Sequence, residues 1–247
     1  MTTDVAIRYD RVSKSFGSMP VLHDVSFDVL RGQAFCILGR SGSGKSVTLR
    51  QTIGLVRPDS GSIYVFGEDV TKLDSAGLTR VRKQVGFLFQ YSALFDSISV
   101  GENVAFPLRR HTRMRENEIR EKVAELLGRV GLEAQRNKMP SEISGGMRKR
   151  VGLARALALH PSILLVDEPS SGLDPVTSLE IDNLLLSLKR TGTTIVVVTH
   201  NIPSALHVGD TLAFLHEGRI LESGTPREME RSTHELVRSF LSAQGGT

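Results

Sequence analysis

The stretch Gly39-Arg40-Ser41-Gly42-Ser43-Gly44-Lys45-Ser46 constrains this chain more than any other. It matches G-x-x-x-x-G-K-[ST] and lies between an apolar run, Ala34 to Leu38, and a segment of helical spacing from Val47 to Ile53. That is the strand, loop and helix context in which the pattern has a physical meaning. The glycines let successive backbone N–H groups turn inward as an anion-binding nest, and the start of the next helix adds its partial positive charge. Phosphate is the natural occupant. Lys45 is then placed to reach the β- and γ-phosphates as a point charge, while the Ser46 hydroxyl takes one position on a phosphate-bound Mg²⁺.

Beyond the loop, the chain repeats one device, a short apolar run that finishes on a polar residue. Val85-Gly86-Phe87-Leu88-Phe89 ends in Gln90, Ile163-Leu164-Leu165-Val166 in Asp167-Glu168, and Thr194-Ile195-Val196-Val197-Val198-Thr199 in His200. Such runs read as buried strands, and the ligands of open α/β sheets are met at the carboxyl ends of strands. Gln90, Asp167 and His200 are therefore expected at one rim. Two adjacent carboxylates rarely serve packing, because burying either one unpaired is costly. In a protein with this loop, Asp167 would hold Mg²⁺ through water and Glu168 would orient the attacking water.

The remaining segments frame that rim. From Ala6 to Phe66, short alternating runs broken by glycine and by Met19-Pro20 read as antiparallel strands, which embeds the phosphate loop in a mixed sheet. The run Ile63 to Phe66 reads as a strand covered on both faces. Phe16 read alone belongs to the core, although an aromatic beside Gly17 also suits stacking on a nucleotide base. Between about Tyr91 and His160 the spacing turns helical, with Ile119, Val123, Leu126, Leu127 and Val130 on one stripe and Gly131 as its stop. Ser144-Gly145-Gly146-Met147 opens a helix carrying Val151, Leu153, Ala154, Leu157 and Ala158, and this start suits either an anion or an ordinary cap. Asp174-Pro175 begins a further helix that Gly192 ends. Leu212 to Leu221 reads as a hairpin, and Glu228 to Leu241 as one closing amphipathic helix.

Composition bounds the setting. A chain of 247 residues, 40% hydrophobic and 23% charged, can bury a sizeable interior as one large α/β domain. No apolar run approaches the ~18 residues of a membrane span, and Met1 to Asp10 lacks a signal-peptide pattern, so the chain is expected to stay in the cytosol. The single cysteine, Cys36, sits in the strand before the loop and is expected to pack as a small hydrophobe. The net charge of +4 is carried by scattered basic residues with no aromatic platform, which argues against a nucleic-acid partner.

Taken together, these motifs resemble one family, the nucleotide-binding subunits of ABC transporters, over nearly the whole chain. Gly39 to Ser46 looks like Walker A, Gln90 like the Q-loop, Ser144-Gly145-Gly146-Met147 like the signature motif and Ile163 to Asp167 like Walker B. Glu168 looks like the catalytic carboxylate, Ser171-Gly172-Leu173-Asp174 like the D-loop and His200 like the switch histidine. The resemblance implies an α/β P-loop ABC ATPase with a RecA-like core, an N-terminal antiparallel β-subdomain and an inserted α-helical subdomain. Residues 1–90 and 161–247 would form the core with its β-subdomain, and 91–160 the helical subdomain within a single domain.

For the site, the resemblance implies that Glu168, His200 and Lys45 are catalytic. ATP would touch Phe16 as its adenine-stacking aromatic, Gly39, Arg40, Ser41, Gly42, Ser43, Gly44, Lys45, Ser46, Val47, Gln90 and Asp167. Ser46, Gln90 and Asp167 would hold Mg²⁺. Ser144, Gly145, Gly146, Met147 and Asp174 would complete the ATP site in a head-to-tail dimer with a second copy of the chain. The signature departs from the usual one, with Ile143 for leucine and Met147 for glutamine. Met147, the run Phe89 to Phe95, Asn103 to Thr112, and Ser144 to Arg150 are similar to the ATPases of Mla/Mce-type lipid transporters. That likeness implies a multi-spanning permease, an MCE-domain lipid-binding protein and a position on the cytoplasmic face of the inner membrane. An importer of amino acids or metals stays open. Soluble ABC ATPases of translation or DNA repair carry two such domains or long coiled coils, and neither pattern appears in these 247 residues.

Overall fold

The computed structural model describes residues 4–245. The chain opens with β1 (Val5–Phe16), β2 (Met19–Leu30) and β3 (Ala34–Leu38), followed by the glycine-rich loop and α1 (Lys45–Thr52). Next come β4 (Ser60–Val65), β5 (Glu68–Asp69), α2 (Ser75–Gln84) and β6 (Val85–Leu88). Helices α3 (Val100–His111), α4 (Glu116–Arg129) and α5 (Gly145–Ala156) lead to β7 (Ile163–Asp167), α6 (Pro175–Arg190) and β8 (Thr194–Thr199). The chain closes with α7 (Ile202–Val208), β9 (Thr211–His216), β10 (Arg219–Gly224), α8 (Pro226–Glu230) and α9 (Glu235–Gly245).

The strands form two sheets, in keeping with the core and the antiparallel β-subdomain that the resemblance implies. One is antiparallel, in the order β2-β1-β4-β5; the other runs β10-β9-β3-β8-β7-β6 and is parallel except for β10. The separation follows from side-chain alternation, which sends successive residues of β3 to opposite faces. Phe35 and Ile37 join Tyr9, Val29 and Ile63 in the core between the sheets, whereas Ala34, Cys36 and Leu38 join Leu164, Val197 and Ile181 on the helical side. Tyr9, Phe27 and Phe35 stack across the first interface, with ring centroids 4.5 and 5.1 Å apart. β3, β7 and β8 are buried along their whole length, so continuous apolar runs are what their positions demand.

Several local expectations are corrected. β4 is covered on one face only: Ile63 and Val65 are buried, Tyr64 is half-buried, and Phe66 lies past the strand at φ 48° under the Arg31 guanidinium. Phe16 is 51% exposed at the β1–β2 turn and is not core. The closing segment is two helices, because the buried Ser232 hydroxyl bonds Glu222 of β10 and accepts the His234 N–H, a local bond that competes with helix continuation. Helix α2 has no counterpart in the sequence reading. Its N-cap, Asp74, accepts the Gly77 N–H at 2.8 Å, and Leu78 and Val81 supply its buried face.

Candidate functional site

The glycine loop leaves β3 where only glycine fits. A Cβ on Gly39 would lie 2.2 Å from the Leu215 carbonyl oxygen of β9, and Gly44, at φ 104°, would carry one 2.7 Å from Leu22. The loop therefore turns tightly over the sheet and delivers Lys45 inward at the first residue of α1. Lys45 is buried, and its Nζ donates to the Gly39 carbonyl at 2.8 Å and the Arg40 carbonyl at 3.2 Å. Burial holds its pKa below the ordinary lysine value, against the opposing pull of Glu168 and Asp167.

The carboxylates arrive at the end of β7. Asp167 Oδ1 accepts the Ser46 hydroxyl at 2.7 Å, while the buried Oδ2 and the buried Ser43 hydroxyl have no hydrogen-bond partner among the described residues. Burial raises the Asp167 pKa above the usual range, with the Ser46 bond pulling it back. Glu168 adopts φ 48°, a left-handed conformation that turns its side chain out of the strand. Its Oε1 stands 3.4 Å from Lys45 Nζ; its Oε2 lies 2.9 Å from His200 Nδ1 and accepts the His200 N–H at 3.3 Å and the Thr199 hydroxyl at 3.2 Å. The histidine tautomer decides which ring nitrogen carries the proton.

These groups share one cleft of about 410 Å³, lined by Ser41, Gly42, Lys45, Gln90, Glu168 and His200 among others. That volume lies within the ~300–1,000 Å³ span of small-ligand sites. Gln90, Glu168 and His200 thus reach the loop from the ends of β6, β7 and β8, and Val21 and Ser171 line the cleft with them. Val47 also lines it, and the buried Asp167 is joined to its lining through the Ser46 hydroxyl.

Other candidates stand apart from this cleft. Phe16 is exposed, with Lys14 Nζ 5.3 Å from its ring centroid. Asp174 caps α6 by accepting the Val176 and Thr177 N–H groups, each at 3.0 Å. Ser144 caps α5 by accepting the Met147 N–H at 3.2 Å. Gly146 is fixed by packing, since a Cβ there would lie 2.5 Å from Thr177 Cγ2, while Met147 packs half-buried on the helical core. A Cβ on Gly145 would meet nothing closer than the Arg148 guanidinium at 4.0 Å.

Lys149 was missed by the sequence reading. It is 6% exposed, its Nζ donates to the Glu168 carbonyl at 2.8 Å, and burial pushes its pKa down to about 8. The signal was present: Gly146, Lys149 and Leu153 fall at i, i+3 and i+7, which puts a lysine on the apolar stripe of its helix.

A strand-end cleft with a phosphate nest, a buried lysine and paired carboxylates is the site of a nucleotide hydrolase. Residues 22–171 match the ABC transporter family profile. The chain belongs to the ABC transporter family. It has the ABC ATPase P-loop fold and is an ATPase subunit of such a transporter. It is 45% identical over 246 residues to the "Probable ribonucleotide transport ATP-binding protein mkl" of Mycobacterium leprae, covering 99% of this chain and 71% of that one. It is 40% identical to "Protein TRIGALACTOSYLDIACYLGLYCEROL 3, chloroplastic" of Arabidopsis thaliana, covering 96% and 74%, and 43% identical to the "Methionine import ATP-binding protein MetN" of Cereibacter sphaeroides, covering 99% and 71%. Among solved structures, the ABC chain superposes on the dimeric ATP-binding cassette MJ0796 in a post-hydrolysis state bound to ADP and Pi. That match has a TM-score of 0.84 and 34% identity, over 90% of this chain and 99% of that one.

The site residues also fit a magnesium ion. Asp167 Oδ2 is a buried carboxylate oxygen without a partner, next to the Ser46 hydroxyl, and hard oxygen donors of this kind are what Mg²⁺ takes. Among the described residues, no group of at least three His, Cys, Asp or Glu side chains could hold a metal unaided. No helix of the described residues is long and apolar enough to cross a membrane.

Proposed function

We propose that this ATPase drives the movement of a lipid, by class a phospholipid, through a Mla/Mce-type permease with an MCE-domain lipid-binding protein in the same complex. The supporting observation is the segment Ser144-Gly145-Gly146-Met147-Arg148-Lys149-Arg150, read with Asn103 to Thr112, and a relative named for trigalactosyldiacylglycerol agrees with it. The chain would sit on the cytoplasmic face of the inner membrane, held there by the permease.

Two copies close head to tail around two ATP molecules, a reading supported by the dimeric cassette with which this chain superposes. Phe16 stacks on adenine, and residues 39–47 wrap the phosphates. Ser46, Asp167 and Gln90 would hold Mg²⁺, which would supply charge neutralisation for the phosphates. Lys45 adds its charge on the γ side, Glu168 orients the water for in-line attack, and His200, hydrogen-bonded to that carboxylate, fixes its direction. The partner supplies Ser144, Gly145, Gly146, Met147 and Asp174 to the far side of the nucleotide.

The experiment is co-purification from detergent-solubilised membranes, followed by reconstitution of the complex with fluorescent phospholipid. ATP-dependent transfer of the lipid between vesicles is expected. Recovery of an amino-acid permease, with ATP-dependent methionine uptake and no lipid transfer, would overturn the lipid reading and leave the ATPase intact.

A further inference from the structure

Helix α5 is tied at several points to the strand ends that carry the site. Near its start, Lys149 donates to the Glu168 carbonyl at 2.8 Å. Near its end, the Arg155 guanidinium donates to the carbonyls of Ser92 at 2.6 Å and Ala93 at 2.8 Å, in the turn that follows Gln90. Between them, α5 approaches β6 closely: a Cβ on Gly152 would lie 2.9 Å from Leu88 Cδ1 and 3.2 Å from Ser92 Cβ. The turns it grips are strained ones, with Glu168 at φ 48°, Ser92 at 61° and Ala93 at 47°.

The lysine is the unusual member of this set. A buried ammonium is costly unless well partnered, and here its hydrogen bond goes to one backbone carbonyl, while the Glu168 and Asp167 carboxylates act on it through charge alone. The other donor to that carbonyl is the Ser171 N–H, at 3.3 Å. A neutral apolar residue would fill the same space at less cost, so packing alone does not account for a charge at this position. Its bond falls instead on the residue whose carboxylate lies 2.9 Å from His200 and 3.4 Å from Lys45.

We propose that Lys149 is a positioning residue for Glu168: it fixes the turn that aims the carboxylate and makes that aim follow the orientation of α5, whose first residues are Gly145, Gly146 and Met147. The inference rests on the reading of Glu168 as the residue that orients the attacking water. Movement of α5 on dimer closure is then felt directly at the hydrolytic residue through Nζ, without passing through the glycine loop.

The test is steady-state ATP hydrolysis by the full-length chain in a double-mutant cycle of Lys149 and Glu168. Lys149→Met keeps length and volume but removes the donor. It is expected to lower kcat about tenfold, the scale of one hydrogen bond from a charged group, with KM for MgATP within about twofold. Lys149→Gln retains a neutral donor on a side chain one atom shorter and is expected to give an intermediate kcat, about threefold below the parent. In a Glu168→Gln background, either substitution is expected to change the residual rate by less than about twofold, because its effect runs through the carboxylate. Unchanged kcat in Lys149→Met, or an equal loss in both backgrounds, overturns the proposal by making Lys149 inert or merely structural. If Lys149→Met does not fold, by thermal unfolding, Lys149→Gln carries the cycle with the same criteria. Near-normal turnover in Glu168→Gln alone condemns the reading of Glu168 instead, so the two failures are distinguishable.

Discussion

The strand-end cleft and the start of α5 both present small and polar residues beside glycines, yet they use their polar groups in opposite ways. In the cleft, groups converge from distant parts of the chain and some stay unsatisfied: Asp167 Oδ2 and the Ser43 hydroxyl are buried with no partner among the described residues. At α5, the Ser144 hydroxyl is used by its own helix, Gly146 is used by packing against Thr177, and Gly145 is left open. A buried polar atom without a partner calls for an explanation, and beside the glycine loop a ligand can supply it, whereas a satisfied cap calls for none. The cleft is thus built to receive a ligand within one chain, and any ligand at α5 has to be brought against it from outside.

The largest effect that can break this contrast lies in the cleft. Glu168→Gln is expected to lower turnover by about a hundredfold or more, the scale for a residue that handles the attacking water, while ATP binding persists. A phosphate-release assay reads the first and calorimetry the second. Near-normal turnover would mean that the carboxylate held between Lys45 and His200 has a structural role only.

Next in size is Lys45→Ala. Charge-assisted contacts to phosphate are about twice as strong as neutral ones, so MgATP affinity is expected to fall by roughly tenfold or more. The same change removes the Lys45 donor from the Gly39 and Arg40 carbonyls, the second of which still accepts the Ser43 N–H. Unchanged affinity by calorimetry would show that the cradle does not bind phosphate.

The two regions also differ in how readily sequence reveals them. β3, β7 and β8 lie between covered faces, so their runs are continuously apolar and their polar ends, Asp167 and His200, stand out. The division into two sheets was legible through the family resemblance and not through the residue pattern, because alternation within Ala34 to Leu38 is masked when every residue is apolar. Helix α2 was missed although Asp74, Leu78 and Val81 carry its cap and stripe; its mostly polar surface hides a narrow buried face. The break between α8 and α9 turns on the Ser232 bond to Glu222, a contact across sequence that no local period encodes. Lys149 was overlooked for a related reason. Its place on the apolar stripe of α5 is legible, but its partner, a backbone carbonyl, leaves no trace in the pattern of residue types.

A smaller effect sharpens the comparison inside α5. Gly146→Ala forces a Cβ to within 2.5 Å of Thr177 Cγ2, and Thr177 is held in place by its hydroxyl bond to Asp174. Overpacking of this kind is expected to cost about 1–3 kcal/mol. Gly145→Ala meets nothing closer than Arg148 at 4.0 Å and is expected to stay within about 0.5 kcal/mol of the parent. Chemical denaturation measures both. Equal losses would mean that the α5–α6 contact is looser than these distances imply.

The smallest effect separates the two uses that Ser144 could have. As an N-cap, its hydroxyl accepts the Met147 N–H at 3.2 Å, so Ser144→Ala is expected to cost about 1 kcal/mol of stability and Ser144→Gly only a few tenths, since glycine tolerates the cap conformation. A partner's nucleotide, by contrast, would distinguish serine from both replacements alike, because neither offers a hydroxyl. Stability that ranks serine, glycine, alanine, together with turnover that falls equally in both variants, is therefore the expected pair of results. If turnover instead tracks the stability order, the hydroxyl acts only on its own helix, and completion of the cleft by a second copy would have to rest on the Gly145 and Gly146 backbone without it.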